Sequence, residues 1–390
     1  MLSVQAVLAL LQSFLMQQRR SRSAFPQMPL AEETFGAMCW KDAAKSEERR
    51  IVLEHMHDML FSGNADRGSI PVPPGQEKIA TTAEILLATW QSSPRRITFF
   101  TSGSTGTPKA CSHSPAMFAQ EAAFLRPYFQ GRARILSVVP AHHLYGFSFG
   151  VHLPACCGIP VHRTIALPHI IAAAMRPGDA VIGLPLLWQA LLKTGHVPSG
   201  KDILAVSATA PIEKHTLRGL EQAGFSIADI FGSSETGVAG MRTASHEAYR
   251  LAPHFFRTGP DMLERSLPDA PHCPVCLEDH LHWRDDRHFL PTGRRDNAVQ
   301  VGGVNVYPAR IAAKIQSLPG IAACAVRPMR PEEGTRLKAF IVPLREEDTQ
   351  ELKRSLRRRL KRMLSVEECP VSFSFGPSLP RNSMGKLADW

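Results

Sequence analysis

The sequence predicts an α/β fold: a large N-terminal α/β domain over residues 1–295 and a small C-terminal α+β domain over residues 296–390. Three observations carry this. Through the first three-quarters, strand-like apolar segments end in small or polar loops, with helix-compatible stretches between them. After Asp296 the texture changes to a Gly-containing segment, an amphipathic stretch, two short strands and a basic helix. Finally, 390 residues with 44% hydrophobic and 21% charged side chains are ample for two cores.

Met1–Met16 is apolar, but its basic cluster (Arg19, Arg20, Arg22) follows the apolar stretch rather than preceding it, unlike a secretory leader. Leu2, Val4, Val7, Leu8, Leu11, Phe14 and Leu15 fit one helical face, so a packed first helix and a cytoplasmic location are expected. No apolar run nears the ~18 residues of a membrane span. Strands are expected at Arg96–Thr101, Ile135–Val139, Ile203–Val206 and Phe225–Ile230, and helices at Ala116–Phe129 and Leu186–Leu192. In the small domain the pattern gives a helix over Pro308–Ser317, strands over Ala322–Val326 and Leu337–Val342, and a helix over Glu351–Leu364. Residues 297–390 hold 16 Lys and Arg against 9 Asp and Glu, most of the chain's net +10, so this domain is expected to meet something acidic.

Eight cysteines in a chain this long do not make a disulfide scaffold. Cys273 and Cys276, with His272, His280 and His282 nearby, have the ingredients of a zinc site, although the gap from Cys276 to His280 is cramped. The competing reading is a Pro-punctuated turn with reduced thiols.

The most informative segment is Thr101-Ser-Gly-Ser-Thr-Gly-Thr-Pro-Lys109. Gly103 and Gly106 let successive N–H groups turn toward one anion, and Thr101, Ser102, Ser104, Thr105, Thr107 and Lys109 add donors. It lacks the GK[ST] ending of a P-loop and is not GxGxxG.

This segment resembles the phosphate-binding signature of the adenylate-forming superfamily, which includes acyl- and aryl-CoA synthetases, luciferases and nonribosomal adenylation domains. Other motifs follow in order. Pro140-Ala-His-His-Leu-Tyr-Gly-Phe147 is similar to P-x-x-H-x-Y-G, and Ser207-Ala-Thr-Ala-Pro211 to S-G-A-A-P. Phe231-Gly-Ser-Ser-Glu-Thr-Gly237 looks like Y-G-x-T-E-x-G, and Gly293–Pro308 like GRxDxxIKxxGxxVxP. Leu379–Lys386 looks like the closing P-x-x-x-x-G-K. Typical members run well past 500 residues, so the chain is expected to be truncated at its N-terminus relative to them. It resembles compact aryl acid:acyl carrier protein ligases of aryl-polyene and xanthomonadin-type pigment pathways.

The resemblance implies that ATP and a carboxylic acid form an acyl-adenylate and pyrophosphate, after which a thiol takes the acyl group. The expected catalytic residues are Lys386, Glu235 and Lys109. The Thr101–Lys109 loop would hold the β- and γ-phosphates, Glu235 would hold Mg2+, and Lys386 would contact the carboxylate and the α-phosphate. Phe231 would stack on adenine, Gly232 would adjoin the nucleotide, Ser234 would reach the α-phosphate, and Asp279 and Arg294 would contact the nucleotide. Asp296 is the expected hinge of a mobile small domain, and Gly302-Gly303 the expected wall of the acceptor tunnel. Gln300 and Arg310 depart from the motif's Lys and Glu.

The acid pocket is expected from His143, Tyr145, Ser207, Ala208, Thr209, Gly232, Ser233 and Val238. Ala208 in place of Gly narrows it toward a short, flat acid, and Ser207, Thr209 and Ser233 offer hydroxyls to a ring hydroxyl. A small aromatic acid such as 4-hydroxybenzoate, or a cinnamate, is expected. Arg354, Arg357, Arg358 and Arg359 would dock an acidic acyl carrier protein whose phosphopantetheine is the acceptor; free coenzyme A is the alternative. Two readings of another class stand beside these: a degenerate adenylate binder, or a nucleic-acid-binding protein suggested by the basic charge. No RNP, helix-turn-helix or zinc-finger signature accompanies that charge, so no nucleic-acid partner is expected.

Overall fold

The computed structural model describes all residues except 1, 21–26, 63–72, 94, 102–108, 196, 198–201, 268–269, 297, 303, 331, 345–348 and 382–386. The chain divides between Gly293 and Arg294 into two units, against an expected boundary two residues later.

The larger unit opens with helices Val4–Arg20, Glu32–Ala37, Trp40–Ala43, Ser46–Phe61 and Ile79–Gln91. Of the seven residues that define the apolar face of the first helix, all but Val4 are buried, as a packed helix requires. The four helices after it were not expected. Their apolar positions are interrupted by charge, as in Ser46-Glu-Glu-Arg-Arg50, and tertiary packing rather than pattern stabilises them.

Next comes a hairpin of β1 (Ile97–Thr101) and β2 (Lys109–His113), in which Thr101 is paired with Lys109. Arg96–Thr101 is therefore a strand, but among the described residues it pairs only with β2 and lies outside the main sheet. Its inward residues Ile97 and Phe99 instead join the core of the N-terminal helices, and Phe99 packs on Phe118 and Phe147.

Among the described residues the main sheet has nine strands. Parallel pairing links β3 (Arg134–Ser137), β4 (Val161–Arg163), β5 (Asp179–Gly183), β6 (Ile203–Ser207) and β7 (Phe225–Ser233) in the spatial order β4-β3-β5-β6-β7. Asp-Ala-Val-Ile-Gly in β5 and Ile-Leu-Ala-Val-Ser in β6 are buried at every position, as strands covered on both faces must be. Helices Pro115–Phe129, Pro168–Ala174, Pro185–Thr194 and Lys214–Gln222 intervene along the chain. The first starts at Ser114, whose hydroxyl accepts from the Met117 N–H at 3.4 Å, with proline at its first position.

From β7 the sheet turns antiparallel through β8 (Gly237–Arg242) and β9 (Tyr249–Leu251). A separate sheet follows, of β10 (Phe255–Arg257), β11 (Met262–Leu267) and β12 (Ala270–Cys276). The chain then returns to the main sheet with β13 (Asp279–Trp283) and β14 (His288–Arg294). The cysteine pair thus lies on a strand rather than in a turn. Residues three apart on a strand point to opposite faces, so Cys273 and Cys276 do not converge on one ion. Among the described residues no cluster of three metal-ligating side chains occurs.

The smaller unit has a hairpin of β15 (Val299–Val301) and β16 (Val304–Val306), then helix Pro308–Gln316. β17 (Ile321–Pro328) and β18 (Leu337–Pro343) pair antiparallel, and β18 pairs parallel with β19 (Ser372–Phe375). Helix Thr349–Met363 buries Leu352, Leu356 and Leu360, spaced four apart, in the core of this unit. Among the described residues no helix is long and apolar enough to cross a membrane.

Candidate active site

The motif Phe231–Gly237 closes one end of the main sheet. β7 runs to Ser233, a tight turn follows, and the chain returns in β8 with Ser233 opposite Gly237 and Gly232 opposite Val238. Hydroxyls fold the turn. The Ser233 N–H donates to Thr236 Oγ1 at 2.8 Å, and Ser233 Oγ accepts from the N–H groups of Glu235 and Thr236, both at 3.2 Å. A Cβ on Gly232 would come within 2.0 Å of the Gly237 carbonyl oxygen, so the close strand approach admits only glycine there. Gly237 takes φ 65°, the left-handed region.

The turn presents Glu235 to β2. Lys109 Nζ lies 2.8 Å from Glu235 Oε1, joining the end of one motif to the centre of another. Burial pushes the Glu235 carboxyl up, but bonds from Lys109 and Ser233 outweigh it and hold the group below its ordinary range. The bond to Glu235 raises Lys109 in turn. A partly buried carboxylate kept ionised beside an ammonium is a donor set suited to a hard divalent cation and phosphate oxygens.

Three buried residues that motif reading missed lie against this turn. His113, at the end of β2, makes a 2.7 Å bond from Nε2 to the Ser234 carbonyl; burial lowers its pKa to about 4, so the neutral ring donates. Arg265 of β11 donates to the carbonyls of Thr236 at 3.1 Å and Met117 at 2.7 Å, and to Gln120 Oε1 at 3.0 Å. Its guanidinium also stands 3.7 Å from the Glu121 carboxylate, with both side chains almost wholly buried. Burial pushes Glu121 up to about 7 despite that partner. In sequence each is one charged or aromatic residue without a motif; only the tertiary fold brings them together.

Of the expected acid-pocket residues, Tyr145 bonds to the ends of β5 and β6, Ser207 ends β6, and Gly232, Ser233 and Val238 lie where β7 meets β8. Tyr145 donates its hydroxyl to the carbonyls of Gly183 at 3.0 Å and Val206 at 3.2 Å, and packs against the main core, of which Ala208 and Val238 are members. Ser207 Oγ and Thr209 Oγ1 are buried and have no hydrogen-bond partner among the described residues. Thr209 has φ 76°, a conformation rare for a β-branched residue. Ser233 differs, because its hydroxyl is engaged inside the turn. His143 follows His142, with ring centroids 4.3 Å apart, and His142 is gripped by the first helix: Ser13 Oγ is 2.8 Å from its Nδ1, and Phe14 stacks on it at 4.7 Å.

Phe231 meets Tyr249 and Phe289 edge-on, at 5.8 and 5.0 Å. Asp279 opens β13, and Asp261 braces that strand by accepting from the Leu281 N–H at 3.2 Å. Arg294 forms a bidentate pair with Asp296, at 2.8 and 2.6 Å. Asp296 also accepts from the Ala298 N–H and the Tyr307 hydroxyl, both at 3.1 Å. Gly302, with φ 61°, directly follows β15. Arg354, Arg357, Arg358 and Arg359 are exposed on helix Thr349–Met363. Ser102, Gly103, Ser104, Thr105, Gly106, Thr107, Gly303 and Lys386 lie outside the described residues.

A large α/β unit with this strand-end site, followed by a small α+β unit, is the architecture of AMP-forming ligases. The family model for AMP-binding enzymes matches residues 86–259, and the model for the AMP-binding enzyme C-terminal domain matches residues 310–386. The chain is 39% identical over 313 residues to a 4-coumarate–CoA ligase of Halorhodospira halophila, covering 80% of this chain and 79% of that protein. It is 26% identical to a 3-hydroxybenzoate–CoA/4-hydroxybenzoate–CoA ligase of Thauera aromatica, over 74% of this chain and 64% of the relative. Among solved structures, the amide bond synthetase McbA of Marinactinospora thermotolerans shares the fold, with a TM-score of 0.64 at 19% identity over 83% of this chain and 73% of that one. The chain belongs to the adenylate-forming, AMP-binding enzyme family. Its activity class is that of an AMP-forming acid–thiol ligase, and ATP is its co-substrate.

Proposed function

We propose that the enzyme activates a small hydroxylated aromatic acid, of the hydroxycinnamate or hydroxybenzoate class, and transfers it to the thiol of coenzyme A. The observation that carries the substrate class is the pair of buried, unpartnered hydroxyls of Ser207 and Thr209. Buried polar groups without partners are costly, and a ring hydroxyl would satisfy them. Ala208 and Val238 supply the apolar wall, Tyr145 is already bonded to two carbonyls, and the names of the relatives support the same acids.

In the first step the substrate carboxylate oxygen attacks the α-phosphorus, the bond to pyrophosphate breaks, and an acyl-adenylate remains. In the second the thiol sulfur attacks the acyl carbon, AMP leaves and the thiol proton passes to solvent. Bringing a carboxylate to a triphosphate requires cations and oriented dipoles. Lys109, the Thr101–Thr107 segment and Lys386 would provide them around the phosphates. Glu235 would hold Mg2+, which supplies charge neutralisation at the phosphate oxygens. Asp296 as hinge, Gly302 and Gly303 as acceptor wall, Phe231, Ser234, Asp279 and Arg294 as nucleotide contacts, and a cytoplasmic setting belong to the same proposal.

A second acceptor is favoured by one feature. Arg354, Arg357, Arg358 and Arg359 form an exposed cationic face with no carboxylate partner among the described residues, which suits an acidic carrier protein bearing phosphopantetheine, as in pigment pathways. Coenzyme A is preferred because the relatives above are CoA ligases by name. Pyrophosphate release with MgATP across benzoic, hydroxybenzoic, coumaric and fatty acids, with coenzyme A and then with holo carrier protein, tests both parts. A fatty acid outperforming every aromatic acid sinks the substrate class, and stimulation by the carrier alone sinks coenzyme A. Lys386→Ala is expected to suppress adenylation while sparing thioester formation from preformed adenylate.

A further inference from the structure

We propose that Arg265, paired with Glu121 and aided by His113, is a positioning residue that fixes the direction in which the Ser233–Gly237 turn presents Glu235. This rests on the reading of Glu235 as the residue that holds Mg2+ at the phosphates. The three side chains come from three elements, β11, helix Pro115–Phe129 and β2, and meet at one turn. Arg265 holds the Thr236 carbonyl, His113 the Ser234 carbonyl, and the two bonds bracket residue 235 on either side. Glu121 supplies the third support. Its Oε1 lies so close beneath Gly237 that a Cβ there would approach it to 1.9 Å, and Ser148 Oγ donates to its other oxygen at 3.3 Å.

Packing alone does not call for this arrangement. Two charges taken almost wholly out of water cost more than well-packed apolar side chains of similar size, so a buried pair of this kind is weak evidence for stability. What the guanidinium offers is a fork of donors in one plane, here spent on two backbone carbonyls and an amide oxygen. His113 is the last residue of β2, so the strand that carries Lys109 and the turn that carries Glu235 are tied at both the 2.8 Å ion pair and the 2.7 Å histidine bond. The pair and the histidine thus set the register between two motifs that are far apart in sequence.

The test is the double substitution Arg265→Met with Glu121→Gln, which removes both buried charges together and leaves neither uncompensated. Thermal melting is expected to fall by several degrees, because three acceptors lose their donor, so binding is read well below the transition. Calorimetric binding of MgATP, which needs no acid, is expected to show a Mg2+ requirement raised about tenfold or more, since a turn displaced by ~1 Å misplaces its carboxylate. Pyrophosphate release should fall by about 10²-fold, with the KM for the acid within about twofold of wild type. A folded double variant with wild-type Mg2+ and ATP constants overturns the proposal. If the double variant does not fold, His113→Gln and His113→Leu decide. Gln retains a donor toward the Ser234 carbonyl and should keep the Mg2+ requirement near wild type, whereas Leu should raise it; equal behaviour of the two overturns the proposal. Glu235→Gln separates the parent reading: if it leaves Mg2+ dependence unchanged, the assignment of Glu235 has failed, whatever Arg265 does.

Discussion

The turn at Ser233–Gly237 and the strand end at Ser207–Thr209 treat their polar atoms in opposite ways. In the turn, the hydroxyls of Ser233 and Thr236 and the carbonyls of Ser234 and Thr236 all meet protein partners. At the end of β6 two hydroxyls are buried without a partner, and one belongs to a threonine held at φ 76°. Saturated polar groups make a rigid mount, while unsatisfied ones keep binding capacity in reserve at a cost in stability. On the proposed reading, the first region would hold a charge still and the second would accept a ligand group.

The sharpest way to break this contrast is at the charge itself. Glu235→Gln is expected to lower pyrophosphate release by about 10²–10³-fold, the scale on which a preorganised electrostatic group acts. It should barely alter binding of the free acid, which equilibrium titration would show. Next is the mount: Gly237→Ala forces a Cβ against Glu121 from a left-handed backbone and is expected to destabilise the protein by about 2 kcal/mol or more, read from urea melts. At the other region the sign reverses. Ser207→Ala removes an unpartnered buried hydroxyl, so the free protein should be unchanged or stabilised by up to about 1 kcal/mol. The preference for a hydroxylated over an unsubstituted aromatic acid should fall about tenfold or more, measured as the ratio of kcat/KM values. A loss of stability there would contradict the contrast.

The smallest effect is on pH dependence. Burial lowers His113 and His152 to about 4 and His254 to about 3, from an ordinary 6.5. Their unfolded forms bind protons that the folded forms refuse, so the stability they contribute is present above 6.5 and is lost as pH falls toward 4 and 3. Glu121 has the opposite sign. Raised from 4.5 to about 7, it stabilises most below 4.5 and loses that contribution as pH rises through 7. The melting temperature should therefore rise from pH 4 to 6.5, three histidines against the two raised carboxyls of Glu121 and Asp229. Glu121→Gln should steepen that rise and His254→Gln flatten it.

Much of this was legible because chemistry and local pattern coincide. Ile203–Val206 and Phe225–Ile230 are continuous apolar runs ending in polar loops, and β6 and β7 begin where those runs begin. Leu352, Leu356 and Leu360 mark the inner face of the basic helix by spacing alone. Arg96–Thr101 was legible as a strand but not in its partner, because pairing in a hairpin or in a sheet leaves the same short apolar run. The cysteines were misleading for a related reason: C-x2-C reads as a knuckle only if the chain bends, and β12 is extended. Arg265, Glu121 and His113 were invisible, since nothing local marks a side chain with a partner more than a hundred residues away.

The grip of the first helix on His142 has a consequence for how such an enzyme diversifies. Ser13 and Phe14 touch the residue next to His143, so the helix sits one side chain behind the expected acid site. Variation at these two positions is expected to surface as altered substrate choice, and a library confined to residues 10–15 becomes an indirect route to new acids. Inheritance of specificity in this chain would then be shared between the strand ends and a helix that carries no motif at all.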